Sequence, residues 1–183
     1  MSDCLILVDL QNDYFVGGTM ELVDCDKAAA NAQRLLTEFR KNNLPVVHVQ
    51  HIAARPGATF FLPETHGAEI HDLVAPKEGE RVVVKNFPNS FRDTALLDIL
   101  QQSNITTLTI CGAMSHMCID ATTRAAFDLG FNCVVAEDAC ATRDLVFKGQ
   151  TIPAAEVHAA FMAALSVPYA KIEATEEIIQ GMA

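Results

Sequence analysis

The run Leu5–Val8 (LILV) is apolar at every position and stops at Asp9. A strand with one wet face alternates apolar and polar residues; an unbroken run is what a strand covered on both faces requires. Similar short runs recur at Val46–Val49, Arg81–Val84, Leu108–Cys111 and Cys133–Ala136. Helical spacing separates the first two: from Asp26 to Arg40, residues Ala28, Ala32, Leu35, Leu36 and Phe39 share one face. Asp24 or Asp26 is placed to cap its start. Further helices are expected from about Thr94 to Gln102, capped by Asp93, and from Cys118 to about Leu129, where Gly130 stops it. Another begins at Pro153, with Val157, Phe161 and Leu165 on its buried face. A short helix over Thr142–Phe147, a sixth strand at Ala170–Ile172 and a turn of helix at Thr175–Ile179 complete the pattern. Strands alternating with helices across short connections predict an α/β fold, a parallel sheet with helices on both faces. With no linker or repeat, residues 1–183 are expected to form one domain.

Half of the residues are hydrophobic, enough for a sizeable core. The net charge of −10 and the lack of a basic patch argue against nucleic acid or an anionic membrane surface as partner. The apolar stretch Cys4–Val8 is too short for a secretory signal, and no run approaches the roughly 20 apolar residues of a membrane span. Six cysteines at 4, 25, 111, 118, 133 and 140 form no CxxC pair. Free thiols in a reducing, cytoplasmic setting are the simplest expectation.

In open parallel sheets, ligands bind beyond the carboxyl ends of the strands. Three reactive side chains stand at such ends: Asp9, Lys85 and, just past Leu108–Cys111, Cys118. Between that strand and Cys118 runs a loop of small residues, Gly112-Ala113-Met114-Ser115. Cys118 then falls in the first turn of a helix, where unpaired N–H groups and the helix dipole favour an anion and lower a thiol's pKa. Each residue has an ordinary alternative. Asp9 can simply end a strand, Lys85 can be a solvated lysine, and Cys118 can be a small core residue. Their coincidence on one sheet edge favours chemistry.

The chain resembles the isochorismatase-like cysteine hydrolases, which include nicotinamidases and N-carbamoylsarcosine amidohydrolases. The resemblance is carried by LILVDLQNDYF (Leu5–Phe15), VVHVQH (Val46–His51), VVVKNFPNSF (Val82–Phe91), CGAMSHMCIDATTRAAFDLG (Cys111–Gly130) and IPAAEVHAAFMAAL (Ile152–Leu165). It implies a three-layer α-β-α fold around a six-stranded parallel sheet. It implies an Asp9-Lys85-Cys118 triad acting through a thioester, and a cis peptide bond at Ala113–Met114. An oxyanion hole would come from the backbone N–H groups of Met114 and Cys118. It also implies a small-molecule substrate and a homodimer or homotetramer.

Two departures narrow the substrate. The sequence His48-Val49-Gln50-His51 lacks the Asp-x-His metal pattern of nicotinamidases. The spacing of His51, His66 and His71 supports no specific site, so no metal or cofactor is expected, and His51 is expected to hydrogen-bond within the site wall. Relatives that cleave isochorismate itself lack the cysteine, so Cys118 points to an amide-type bond. Phe15, Phe60, Phe61, Phe87 and Phe91 are candidates for an apolar pocket wall, and His116 for its lining. Two other readings stay open: a non-catalytic binding protein on the same fold, and a thiol redox sensor with a resolving cysteine such as Cys111 or Cys140.

Overall fold

The computed structural model describes residues 3–182. Six parallel strands form the sheet: β1 (Asp3–Val8), β2 (Val46–His51), β3 (Arg81–Lys85), β4 (Thr107–Ala113), β5 (Asn132–Ala141) and a later one, β8 (Lys171–Glu173). Their spatial order is β3-β2-β1-β4-β5-β8. The chain starts in the middle, builds outward through β2 and β3, then returns to the other side of β1. The order therefore reverses between β1 and β4, whose carboxyl ends diverge into separate connections and leave a crevice. Along this seam Val8 pairs with Gly112. Gly112 has φ 123°, and a Cβ there would lie 2.0 Å from the Val8 carbonyl oxygen, so only glycine permits the approach.

The strand period of two sorts side chains to the two faces. Leu5 and Leu7 of β1 meet Ala32, Leu35, Leu36 and Phe39 of α1 (Cys25–Lys41), with Ile178 of α5 (Thr175–Gly181) alongside. Cys4, Ile6 and Val8 point the other way, onto α2 (Leu96–Gln102), α3 (Asp120–Asp128) and α4 (Ala154–Leu165). Full burial of a Leu or Phe side chain is worth about 1.5–3 kcal/mol, so these two faces carry most of the favourable free energy. The layers are the expected α-β-α arrangement. β3 is an edge strand: Val83 and Lys85 point inward, while Val82 and Val84 remain half exposed. No helix among the described residues is long and apolar enough to cross a membrane.

The expected short helix at Thr142–Phe147 is replaced by an isolated bridge from Thr142 to Val23 and the first strand of a hairpin, following a β5 that runs on to Ala141. After a bulge, β5 continues to pair Cys140 with Gly112 and Ala141 with Ala113. Strands β6 (Leu145–Phe147) and β7 (Gln150–Ile152) then pair antiparallel. Lys148 (φ 50°) and Gly149 (φ 79°) join them, and two successive positive φ values are what a tight two-residue hairpin turn needs. The sheet and that turn outweigh weak helical propensity. Asp93 does not cap α2; it has φ 55° and the helix begins later, after Ala95. Asp24 precedes α1 but makes no capping bond, pairing with Lys27 instead.

Glu80, at the entry to β3, ties three elements together. It takes two hydrogen bonds from Arg40 of α1 at 2.7 and 2.8 Å and lies 2.9 Å from His48 Nε2 on β2. The Arg40 guanidinium holds its carboxyl well below the usual range, at about 2, against the opposing effect of burial; the Lys77 N–H and His48 assist. Folding keeps Glu80 ionised, so on acidification the unfolded chain takes up the proton first. Its stabilisation is complete above about pH 4.3 and is lost as pH falls through 2. Glu80→Gln is expected to cost about 2–3 kcal/mol at neutral pH and to flatten the stability profile across that window. Denaturant titrations of both proteins at several pH values test this; parallel profiles would contradict it.

Candidate active site

The carboxyl ends of four neighbouring strands deliver the polar groups. Asp9 follows β1 with φ 53°, its N–H bound to the Val49 carbonyl of β2 at 3.0 Å. His51 and Lys85 close β2 and β3 and pair in register. Cys118 comes after β4, within a π-helical turn, Ser115–Ile119, in which the Ile119 N–H reaches back to the Met114 carbonyl at 3.2 Å. The helix α3 begins only at Asp120, so the nucleophile candidate sits ahead of the α-helix rather than in its first turn. The Ala113–Met114 peptide bond is cis.

The Lys85 ammonium is the centre of the cluster. It donates to Asp9 Oδ2 at 2.7 Å and to Cys118 Sγ at 3.3 Å, and lies 2.9 Å from His51 Nδ1. Three acceptors match its three donor hydrogens. Asp9, Lys85 and Cys118 are all at most 2 % exposed. Burial works against the lysine's charge, but the Asp9 carboxylate more than offsets it and raises its pKa. Burial and the Lys85 charge push His51 down to about 4, so at neutral pH its ring is neutral and Nδ1 accepts. The donor atoms of Asp9, His51 and Cys118 lie within 4.8 Å of one another, a spacing that could hold a metal ion, but the ammonium fills that position. His66 and His71 stand apart, one beside Glu69, the other stacked on Phe15 at 3.7 Å.

The thiol does not match the expectation of a lowered pKa. Burial pushes Cys118 up, the Asp9 carboxylate adds to this, and Lys85 only partly opposes them. At rest the sulfur keeps its proton. The second oxygen of Asp9, Oδ1, is buried and has no hydrogen-bond partner among the described residues. The cluster thus holds a protonated thiol, a carboxylate oxygen with free lone pairs, and a fixed positive charge between them.

Polar groups around the cluster, most of them not singled out in the sequence, hold this arrangement. Gln11 Nε2 donates to the carbonyls of His51 and Ala68, and its Oε1 accepts from the His51 N–H at 2.7 Å. Asp13 accepts from the Phe61 N–H at 2.6 Å and from Thr19. Ser115 Oγ lies 2.8 Å from His158 Nδ1 of α4, and His116 Nδ1 lies 2.6 Å from Thr142 Oγ1. Gln11 and Asp13 are polar yet buried on an irregular connection. That burial, the sign of their role, has no counterpart in the letters. Ser90 Oγ lies 2.8 Å from Thr122 Oγ1 of α3.

A cavity of about 250 Å³ opens beside His51, lined by Arg55, Phe60, Asn86, Phe87 and Pro88. The long irregular stretch after β2 supplies one wall, as its length predicts. Of the expected lining residues, Phe87 is in place, beneath the Arg92 guanidinium at 3.6 Å. Phe61 is fully buried below it, 4.6 Å from the Tyr14 ring. Phe15 lines a different hollow with His66 and His71. His116 stands on the other side, against Phe161. A larger hollow of about 530 Å³ at the amino ends of the strands holds none of the four clustered groups.

A family profile described as the isochorismatase domain matches residues 3–177. The chain belongs to the isochorismatase family. It is 49 % identical to the uncharacterized isochorismatase family protein YddQ of Bacillus subtilis, over 98 % of this chain and all of that one. It is 38 % identical to a streptothricin hydrolase of Streptomyces noursei, over 82 % of this chain and 60 % of that protein. A crystal structure of a relative from Oleispira antarctica superposes with a TM-score of 0.95 at 54 % identity, covering 98 % of this chain and 97 % of the other. The family is one of hydrolases, and this member is a hydrolase.

Removing one partner of a buried ion pair strands the other charge, at a cost of about 3–5 kcal/mol. Lys85→Met is expected to lose stability on that scale, and adding Asp9→Asn to recover a large part of it. A denaturant-based double-mutant cycle measures the coupling; additive losses would show that the two groups do not stabilise one another.

Proposed function

We propose that this isochorismatase-family protein hydrolyses a small amide-type C–N bond through Asp9, Lys85 and Cys118. The observation that carries the reading is the unpartnered Asp9 Oδ1 in the same buried cluster as a thiol that keeps its proton. As Cys118 Sγ attacks the substrate carbonyl carbon, its proton passes to Asp9 Oδ1 and a C–S bond forms. The carbonyl oxygen becomes an oxyanion, held by the backbone N–H groups of Met114 and Cys118, each such donor worth about 3–4 kcal/mol of barrier. The C–N bond then breaks, Asp9 returns the proton to the leaving nitrogen, and a thioester remains. Water attacks that thioester while Asp9 takes its proton. The C–S bond breaks, the acid leaves, and the proton on Asp9 restores the thiol.

Lys85 pairs with the Asp9 carboxylate at 2.7 Å and stabilises the sulfur as it loses its proton. His51, neutral, holds the ammonium in place without adding charge. The streptothricin hydrolase among the relatives supports hydrolysis at this site. A redox sensor needs an accessible, acidic thiol. All six cysteines are buried here, and burial raises Cys111, Cys118 and Cys140 alike.

A screen of small primary amides, ureas and carbamoyl compounds is expected to yield turnover by the wild-type chain. Cys118→Ala should lower it by on the order of 10⁴-fold or more, with the fold kept. Turnover surviving in that variant would remove the thiol from the mechanism.

A further inference from the structure

The two nitrogens of the His51 ring cannot play the same part. Nδ1 lies 2.9 Å from the Lys85 ammonium, which has hydrogens to give and no lone pair to receive one. Nδ1 is therefore the accepting nitrogen, and an imidazole that accepts there is neutral and carries its hydrogen on Nε2. Burial and the Lys85 charge, which push the ring's pKa down to about 4, favour the same state. Nε2 has no hydrogen-bond partner among the described residues, yet it is not shut off from solvent. The side chain is 18 % exposed, although Asp9 and Lys85 beside it are wholly enclosed.

One edge of the ring thus belongs to the charged cluster, and the other faces the cavity of about 250 Å³ that His51 lines with Phe60, Asn86 and Phe87. His51 ends β2 in register with Lys85 at the end of β3, so the ring stands between the two. The remaining walls are mostly alanine and proline side chains. Asn86 gives its Nδ2 to the Ile52 carbonyl at 2.7 Å, and Arg55, on the same wall, is exposed to water. An N–H that looks mainly onto carbon is poorly served by water, so a bound group that accepts from it is favoured over one that cannot.

We propose that His51 is a specificity-determining residue, which donates its Nε2 hydrogen to an acceptor on the substrate beyond the scissile amide. The substrate class is then a small amide with a mainly apolar body and one hydrogen-bond acceptor, such as a second carbonyl oxygen, on the β2 side. Lys85 serves this contact as well as the chemistry, because its hydrogen bond to Nδ1 fixes which nitrogen of the ring faces the cavity with a hydrogen. A methylene in place of the acceptor leaves that N–H unsatisfied, and a site built around a polar group discriminates on such a difference. The inference rests on the reading that Cys118 attacks an amide, but the contact can be measured without turnover.

Matched pairs of probes serve the test: acetoacetamide against butanamide, and levulinamide against pentanamide, each pair differing by a ketone in place of a methylene. In the Cys118→Ala background, NMR titration is expected to show at least one keto amide binding about 3- to 10-fold more tightly than its partner. Adding His51→Met should abolish that preference. His51→Gln, whose amide can accept from Lys85 and donate to the ligand, should keep part of it, and Arg55→Ala should leave it in place. Nitrogen-15 spectra of histidine-labelled protein, with His51 assigned through His51→Gln, should show the hydrogen on Nε2 and none on Nδ1, without recourse to any ligand. Equal binding within both pairs, an equal loss on both members in His51→Met, a preference that disappears with Arg55, or a hydrogen on Nδ1 would each overturn the proposal. Discrimination in binding without turnover of any probe by the Cys118-containing enzyme would uphold the His51 contact and count instead against the thioester reading.

Discussion

A lysine ammonium enclosed by protein is stable only where enough acceptors replace the water it has lost. Lys85 meets that condition with three: a carboxylate, a neutral imidazole and a thiol. No single segment of chain can present them. They come from the ends of β1, β2 and β4, and the lysine itself from β3. The spatial sequence β3-β2-β1-β4 is therefore a requirement of the charge as much as a consequence of the crossover helices. Parallel strands make this possible because all their carboxyl ends lie on one edge.

The same cluster sets the state of the sulfur. Lys85 carries one positive charge and Asp9 one negative, so the pair is neutral and the thiol beside it has no net cation to ionise against. Burial then keeps its proton in place. In this arrangement the nucleophile forms during attack instead of standing ready, and the proton has a destination in Asp9 Oδ1. The surrounding polar residues keep the distances fixed. Gln11 links the exits of β1 and β2, and Ser115 and His116 anchor the nucleophile turn to α4 and to the end of β5.

Much of this was legible in the letters. Unbroken apolar runs such as LILV report burial on both faces, and strand–helix alternation restricts the topology to a parallel sheet. Asp9, Lys85 and Cys118 stand out because each ends or follows such a run. What escaped is set by hydrogen bonding and burial that the letters do not record. The π-helical turn around Cys118 depends on the Met114 carbonyl taking bonds from both Met117 and Ile119. The hairpin after β5 depends on that strand extending beyond its apolar residues to pair with Gly112 and Ala113. The roles of Gln11, Asp13 and Ser115 follow from burial and partners, and a polar letter between two elements announces neither. The expectation of an acidic thiol is not met because Cys118 lies ahead of α3 and is buried beside the Asp9 carboxylate, which together outweigh Lys85.

The central claim is that the Asp9 carboxylate, by neutralising Lys85, keeps Cys118 protonated until a substrate arrives. Ultraviolet thiolate absorbance, taken as the difference between proteins with and without Cys118, tests it directly in the resting state. The account predicts no thiolate signal at neutral pH for the natural sequence. It predicts a clear one for Asp9→Asn, in which the ammonium is left with only the sulfur to balance it. A thiolate present in the natural sequence and absent from Asp9→Asn would contradict the account.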